Sequence, residues 1–535
     1  METDIISPGG GKLAGYRKAW KGMKLKTQVV IIGGGVTGVG IARDLAQRGI
    51  EFILLEKGDL ANGASGRNHG YLHSGARYAV NDPQAAEECI RENRILKRIA
   101  SNCIEDTGGL FVSLPEDNGT YRDQFLRSCE EVGIPTRCLT ASEALEIEPN
   151  LSHEITGAIH VPDAAIDPFH LVYGNAEEAG TYGKQILIRT AVTGLVLSQG
   201  RITGVEGRSI ETGERLTVHA DFVVNAAGAW ADRIARLAGL SFPLELSKGS
   251  LLVTNRRMSD RVVHRCRLPS DGDIVVPNHT VSIIGTTSLK TGDLDGPVVE
   301  AGEVALLVDE TSKMLPCLEE ARYIRAFAGV RPLFTVGGGK DSRELSRGFV
   351  LLDHAVRDGV GNFITITGGK LITYRLMAEK TVDLICRKMG LSIPCKTHLT
   401  PLPEARGFVP GREQSLRKLG RESDTGDAEV VCDCELITRG ELEEVLRGLP
   451  GKDIREILHR TRLAKGTCQG AFCSYRLLGI LHAMGRSDEK NSNAQLKEFL
   501  EERWRGIRPV LWGDQLREQQ FLEEIYMGIL NLDKA

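Results

Sequence analysis

VVIIGGGVTGVGIARDLAQRGIEFILLE, residues 29–56, reads as a complete strand, glycine turn, helix and strand unit. Val29 to Ile32 is an unbroken apolar run, the pattern of a parallel strand covered on both faces. Gly33, Gly35 and Gly38 follow as G-x-G-x-x-G. The first allows the tight turn, the second lets a pyrophosphate approach the backbone, and the third lets the helix lie close to the strand. The N–H groups and positive end of such a helix favour an anion. A second apolar strand, Phe52 to Leu55, leads to Glu56, 21 residues beyond Gly35 and placed to accept a ribose hydroxyl. Glycine turns also occur where nothing binds, but strand, helix and terminal acid agree here. Together they predict dinucleotide binding in an α/β, Rossmann-like domain.

At 535 residues the chain exceeds what one hydrophobic core usually supports, so two or more domains are expected. With 41% hydrophobic and 26% charged residues it has the balance of a soluble globular protein. The net charge of -4 contains no long block of one sign, which argues against a nucleic-acid partner. The first candidate for a membrane span is interrupted by Arg43 and Asp44, so any membrane contact is expected to be peripheral or through partners. Twelve cysteines without an apolar signal core predict a reducing, cytoplasmic setting. Residues 1–26, rich in glycine and lysine, read as a flexible tail.

From Gly58 the segment GDLANGASGRNHGYLHSGARYAV is too dense in Gly, Ser and Asn for a plain helix or strand, and is expected to wrap a ligand. An acid ending the second strand, then ANGAS, then HSGARY, resembles the flavoproteins of the glycerol-3-phosphate dehydrogenase and D-amino-acid oxidase superfamily. In that family the loop lies along FAD. The resemblance implies that Ala64, Ser65, Asn68, His69 and His73 line the cofactor, while Arg77 and Tyr78 face the substrate. The plainer alternative for each histidine is a loop residue bonded to backbone. DFVVNAAGAWAD, residues 221–232, resembles the family's second FAD segment, with Gly228 giving close approach. Strands from Gln185 to Val196 and from Ile202 to Val205 are assigned to an antiparallel-sheet substrate or cap domain interleaved with the nucleotide fold.

Four cations carry the substrate expectation: Arg331 in RAFAGVRPLF, Arg347 in SRGFVLLDH, Lys370 in ITITGGKLITYR, and Arg77. A phosphate dianion needs several fixed donors, and an arginine fork offers two at once. The resemblance gives Arg77, Tyr78, Arg331 and Arg347 the substrate oxygens; structural ion pairs are the alternative for one or more of these arginines. Gly368, Gly369 and Lys370 end a strand and open a helix, whose N-terminus beside a flavin would stabilise negative charge on reduction. The implied chemistry moves the C2 hydrogen of glycerol 3-phosphate to the flavin and yields dihydroxyacetone phosphate. His73 is the candidate base, Arg331 stabilises the developing alkoxide, and Lys370 completes the catalytic set.

After Thr400, PLPEARGFVPGR and RESDTGDAE have linker composition. Beyond them stand Cys432-Asp433-Cys434 and, in KGTCQGAFC, Cys468 and Cys473. Four thiolates in two close pairs fit a metal site in a reducing compartment. C-x-C is narrower than usual zinc pairs, so iron and sulfur lead, with zinc the alternative. The spacing resembles the bacterioferritin-associated ferredoxin-like domain, which implies a [2Fe-2S] cluster.

The expected division is a tail at 1–26, an oxidoreductase at 27–400, a linker at 401–428, an α-rich [2Fe-2S] domain at 429–485 and a helical tail at 486–535. As a whole the chain resembles the A-subunit family of the anaerobic glycerol-3-phosphate dehydrogenases. That family works with two partners, a flavoprotein B subunit plus a membrane-associated iron–sulfur C subunit, on the cytoplasmic face of the membrane, and passes electrons to quinone. Two other readings stay open. GVRP-type arginines hold a carboxylate as well as a phosphate, so a 2-hydroxy acid such as 2-hydroxyglutarate is one; a non-catalytic electron relay is the other.

Overall fold

The strand Met23–Ile32 lies inside an eight-stranded sheet, parallel to Phe52–Leu55 on one side and to Arg215–Asn225 on the other. This computed structural model describes residues 23–182, 185–334, 348–403, 416, 419–420, 429–448 and 454–532. Arg347, residues 1–22 and most of the expected 401–428 linker lie outside the described residues. Alternate residues of the first strand enter different cores: Val29 and Ile31 join one, Val30 and Ile32 the other. That is the two-sided burial an unbroken apolar run demands. Each such fully buried side chain contributes roughly 1.5–3 kcal/mol.

The first strand starts at Met23, and Met23 to Lys26 pair with Leu216 to His219. These four residues therefore belong to the sheet rather than to a tail, because the long 215–225 strand offers them a ladder. The same strand corrects a second expectation. Thr190–Ser198 and Arg201–Ser209 extend the nucleotide sheet, not a substrate domain. Val205 to Arg208 pair antiparallel with Arg215 to Val218, while Val223 to Asn225 run parallel to Phe363 to Thr365. Counting its pairing with the first strand, this one strand serves three ladders, which alternation alone cannot reveal.

A nine-stranded sheet forms the second layer, dominated by the ladder of Leu244–Thr254 with Tyr323–Phe334. It is antiparallel except where Val262–Arg265 runs parallel to Gly109–Ser113. The expected α/β architecture with an antiparallel substrate sheet is what the chain adopts. Buried ion pairs fix helices around it: Arg375, on the helix Tyr374–Met389, meets Glu92 on Pro83–Ile99 at 2.6 Å.

The cysteine module contains Arg439–Gly448, Ile454–Thr461 and Cys473–Ala483. Its core also takes Phe499 and Leu500 from Glu489–Ile507, and Tyr526. Residues 486–532 are therefore not a separate tail: Phe499, Leu500 and Tyr526 belong to this unit, while Val510 enters the core of the nine-stranded sheet. Their leucines and aromatics at helical spacing need an apolar partner face. Trp504 packs against that core, whereas Trp512 lies 5.9 Å from Tyr323 of the substrate sheet.

Candidate active site

A cavity of about 1530 Å³ is lined from both sheets. That exceeds the ~300–1,000 Å³ of most ligand pockets and leaves room for an extended dinucleotide and a small substrate. Gly33 turns at φ +115°, where a Cβ would lie 2.6 Å from the Ala226 carbonyl oxygen. At Gly38 a Cβ would lie 1.9 Å from the Gly33 carbonyl oxygen, so the helix sits against the turn only because that residue is glycine. The helix Val36–Gln47 opens on Gly35 without a side-chain cap, and Ser65 Oγ accepts the Val36 N–H at 3.0 Å.

Glu56 accepts the N–H of Gly34 at 2.6 Å and of Gly58 at 2.7 Å. Burial raises its pKa, and these two bonds oppose the rise. Each carboxylate oxygen keeps acceptor capacity, and Glu56 lines the cavity. Ala64, Ser65, Asn68, Gly228, Gly368, Gly369 and Lys370 line the same cavity. Asn68 also holds its turn, donating to the Ser65 carbonyl at 2.7 Å and accepting the Gly70 N–H at 2.8 Å.

A second group of cavity residues contains His69, His73, Arg77, Tyr78 and Arg331. Arg331 lies across Gly249, where a Cβ would come within 1.8 Å of Nη2. That nitrogen donates to Thr286 Oγ1 and to the Thr287 carbonyl, each at 2.7 Å. Arg77 donates to Asp273 at 3.0 Å and to the Ser270 carbonyl at 3.2 Å, while its Nη1 is buried without a hydrogen-bond partner. Lys370 Nζ stands 4.5 Å from the centre of the Tyr78 ring.

His69 Nδ1 and His73 Nδ1 are likewise buried without partners, so neither ring is tied to backbone through that atom. Burial, then the charges of Arg331 and Arg77, push His69 down to about 3. Burial, then His69 and His264, push His73 well below the usual histidine value. Both rings are neutral near pH 7 and have a lone pair to offer.

Several supporting residues escaped the motifs. Tyr71 packs on His73 at 3.6 Å between ring centres and donates to Asp163 at 2.7 Å. Asp163 also accepts the Ser74 N–H at 2.6 Å. Asp273, 196 residues from Arg77, and Thr286, 45 residues from Arg331, have no spacing signal because they meet their partners only through tertiary structure.

The four cysteines of the C-terminal module act on one another in two pairs, the Cys473 thiol lowering Cys432 and the Cys434 thiol lowering Cys468. Among the described residues no group of three or more His, Cys, Asp or Glu converges tightly enough to hold a metal ion. The donor chemistry nonetheless fits an iron–sulfur group. All four donors are sulfur, and Cys468 is held down to about 6 by the Cys434 thiol, then by the N–H groups of Gly470, Ala471 and Phe472. Such a nest of N–H groups favours an anionic sulfur.

Over 531 residues the chain is 45% identical to the A subunit of the anaerobic glycerol-3-phosphate dehydrogenase of Escherichia coli (strain K12), covering 95% of this chain and 97% of that one. It is 42% identical over 541 residues to the A1 subunit of the same enzyme in Haloferax volcanii, covering 96% and 92%. Residues 28–375 match the FAD dependent oxidoreductase family DAO. The chain belongs to the DAO family, among the anaerobic glycerol-3-phosphate dehydrogenase A subunits. The DAO-family fold is shared with an FAD complex of the Bacillus halodurans glycerol-3-phosphate dehydrogenase, at 22% identity and a TM-score of 0.62 over 91% of this chain and 96% of that one. The DAO match ends before the cysteine module, which the A-subunit relatives cover. Among the described residues no helix is long and apolar enough to cross a membrane.

Proposed function

We propose that this protein oxidises sn-glycerol 3-phosphate to dihydroxyacetone phosphate with FAD as electron acceptor. We further propose that electrons leave through a [2Fe-2S] centre held by Cys432, Cys434, Cys468 and Cys473, then through B and C partner subunits to membrane quinone. The observation that carries the reading is a single cavity combining a dinucleotide turn with the guanidinium groups of Arg77 and Arg331. The near full-length likeness to A subunits supports the same substrate and the same partners.

Gly33, Gly35, Glu56, Ser65, Gly228 and the turn at Gly368 and Gly369 would hold FAD, which when bound supplies the hydride-accepting ring. Arg331 and Arg77 bind and orient the substrate oxygens. Arg331 is fixed for this by Thr286 and Thr287, Arg77 by Asp273. A guanidinium so anchored gives up little side-chain entropy when an oxyanion arrives. His73, neutral and with an unpartnered Nδ1, takes the hydroxyl proton. Lys370 adds positive charge beside Tyr78.

The test is product identity. FAD-loaded protein with glycerol 3-phosphate and a dye acceptor should form dihydroxyacetone phosphate and reduce the dye in equal amounts. Dye reduction with 2-hydroxyglutarate but not with glycerol 3-phosphate would overturn the assignment.

A further inference from the structure

One buried arginine joins the cysteine module to the flavin-binding body. Arg462 is 5% exposed and has a left-handed backbone at φ +58°. Its Nη1 donates to Asp167 Oδ2 at 2.6 Å, its Nε to Glu435 Oε2 at 2.8 Å and its Nη2 to Asn278 Oδ1 at 2.9 Å. The three partners come from three places. Asp167 caps the helix Pro168–Thr181, Asn278 ends the strand Ile274–Asn278 of the substrate sheet, and Glu435 follows Cys434. Thr280 Oγ1 also donates to Glu435, at 2.9 Å, and Thr467 Oγ1 to the Asn255 carbonyl, at 2.7 Å. Beside them Phe169 stacks on His459 at 4.7 Å, with Lys465 Nζ 4.2 Å from the centre of its ring.

This seam backs onto the cavity wall. A Cβ on Gly66 would lie 2.9 Å from the Phe169 ring, and Gly66 sits between Ser65 and Arg67, which both line the cavity. A Cβ on Gly70, next to His69, would lie 3.4 Å from Asn278 Nδ2. On the module side, a Cβ on Gly466 would lie 2.4 Å from Cys434 Cβ and 3.3 Å from Thr280 Oγ1. Side chains of Phe169, Asn278, Arg462 and Glu435 therefore form a continuous run of contacts from the cavity-lining loop 64–70 to the loop that carries Cys434.

We infer that Arg462 is the positioning residue that seats the cysteine site against loop 64–70, with Cys434 and Cys468 on the side facing it. The inference rests on the reading of the four cysteines as an electron-carrying site. An arginine suits the task because its planar fork serves three acceptors on three elements at once, which an ammonium on a flexible stem does not. Electron transfer falls steeply with separation, so a seat held by directed, buried bonds keeps the thiol site at a constant distance from the cavity. Removing the guanidinium takes the closest ion pair from both buried carboxylates and leaves Asp167 only the Lys465 ammonium at 3.7 Å, which loosens the seam.

The experiment compares full-length protein, loaded with FAD and iron–sulfur, with Arg462→Met and with Asp167→Asn. The second variant keeps Oδ1 as the helix cap but replaces the oxygen that accepts from Arg462 with an NH2 donor, so the ion pair and its hydrogen bond are both lost. Hydrogen exchange at residues 278–280 and 463–467 should rise about tenfold or more in both variants, as the seam opens more often. Iron content and flavin bleaching by glycerol 3-phosphate should stay within about twofold, whereas reduction of the iron centre by the same substrate, read by its paramagnetic signal, should slow by about tenfold or more. Unchanged exchange in both variants overturns the seating role, and an opened seam with wild-type reduction of the iron centre overturns its link to electron flow. Wild-type protein with full flavin but no iron or sulfide would instead overturn the iron–sulfur reading, and the exchange data would still decide whether Arg462 seats the module.

Discussion

Arg77 and Arg462 are both drawn into buried ion pairs, yet they finish differently. Arg462 spends three nitrogens on Asp167, Glu435 and Asn278. Arg77 spends one on Asp273 and Ser270 and leaves Nη1 without a partner at the cavity. An unpaired buried donor is costly, and a fold retains one where a ligand completes it. Arg462 is thus finished within the seam, although Lys465 Nζ beside it has no hydrogen-bond partner, and Arg77 leaves the cavity a donor for an anionic ligand. His69 and His73, with their unpartnered Nδ1 atoms, put the same mark on the cavity.

The contrast is tested most severely by Arg331→Ala. Loss of an anchored guanidinium from the cavity should slow substrate-driven flavin reduction by roughly 10²–10³, with FAD still bound, as stopped-flow absorbance would record. Arg462→Met, in the seam, should leave that step nearly untouched. Gly38→Ala comes next. Its methyl would overlap the Gly33 carbonyl oxygen at 1.9 Å. The expected cost is about 1–3 kcal/mol of stability together with lower flavin content after purification, read by thermal melts and absorbance ratio.

A change remote from both regions sets the baseline. Thr140 closes a capping box on Ala141–Ile147, and Thr140→Ala should cost about 1 kcal/mol in urea unfolding without altering flavin content.

The last effect is a slope with pH. His69 has a folded value of about 3 against an ordinary 6.5, so the unfolded chain binds the proton first as acid is added. Its contribution to stability is fully present above pH 6.5 and is lost as pH falls from there towards 3. Urea unfolding of the apoprotein across that range should show a shallower dependence in His69→Asn.

Much of this was legible in the sequence wherever the cause was local. The 29–56 unit carries its strand, turn and helix in consecutive residues, and Asp167 announces its helix by capping Phe169 and His170 two and three residues on. The residues of loop 64–78 came together in the cavity because they are close in the chain as well as in space. What escaped was set by distant pairing. The strands at 190–209 have the alternation of a half-buried sheet, but only their ladder with 215–225 decides which sheet they join. The helices after residue 486 look like a tail until Phe499 and Tyr526 are seen in the core around Leu477. Asp163 meets Ser74, Asp273 meets Arg77 and Arg462 meets Asp167 across 89, 196 and 295 residues, and no spacing rule reaches that far.

The central claim is that the cavity binds glycerol 3-phosphate beside FAD and reduces the flavin with it. Mixing oxygen-free, FAD-loaded protein with glycerol 3-phosphate and following the flavin absorbance tests it directly. Prompt bleaching that 2-hydroxyglutarate does not produce is the predicted result. Protein with full flavin that stays yellow under glycerol 3-phosphate would contradict the account.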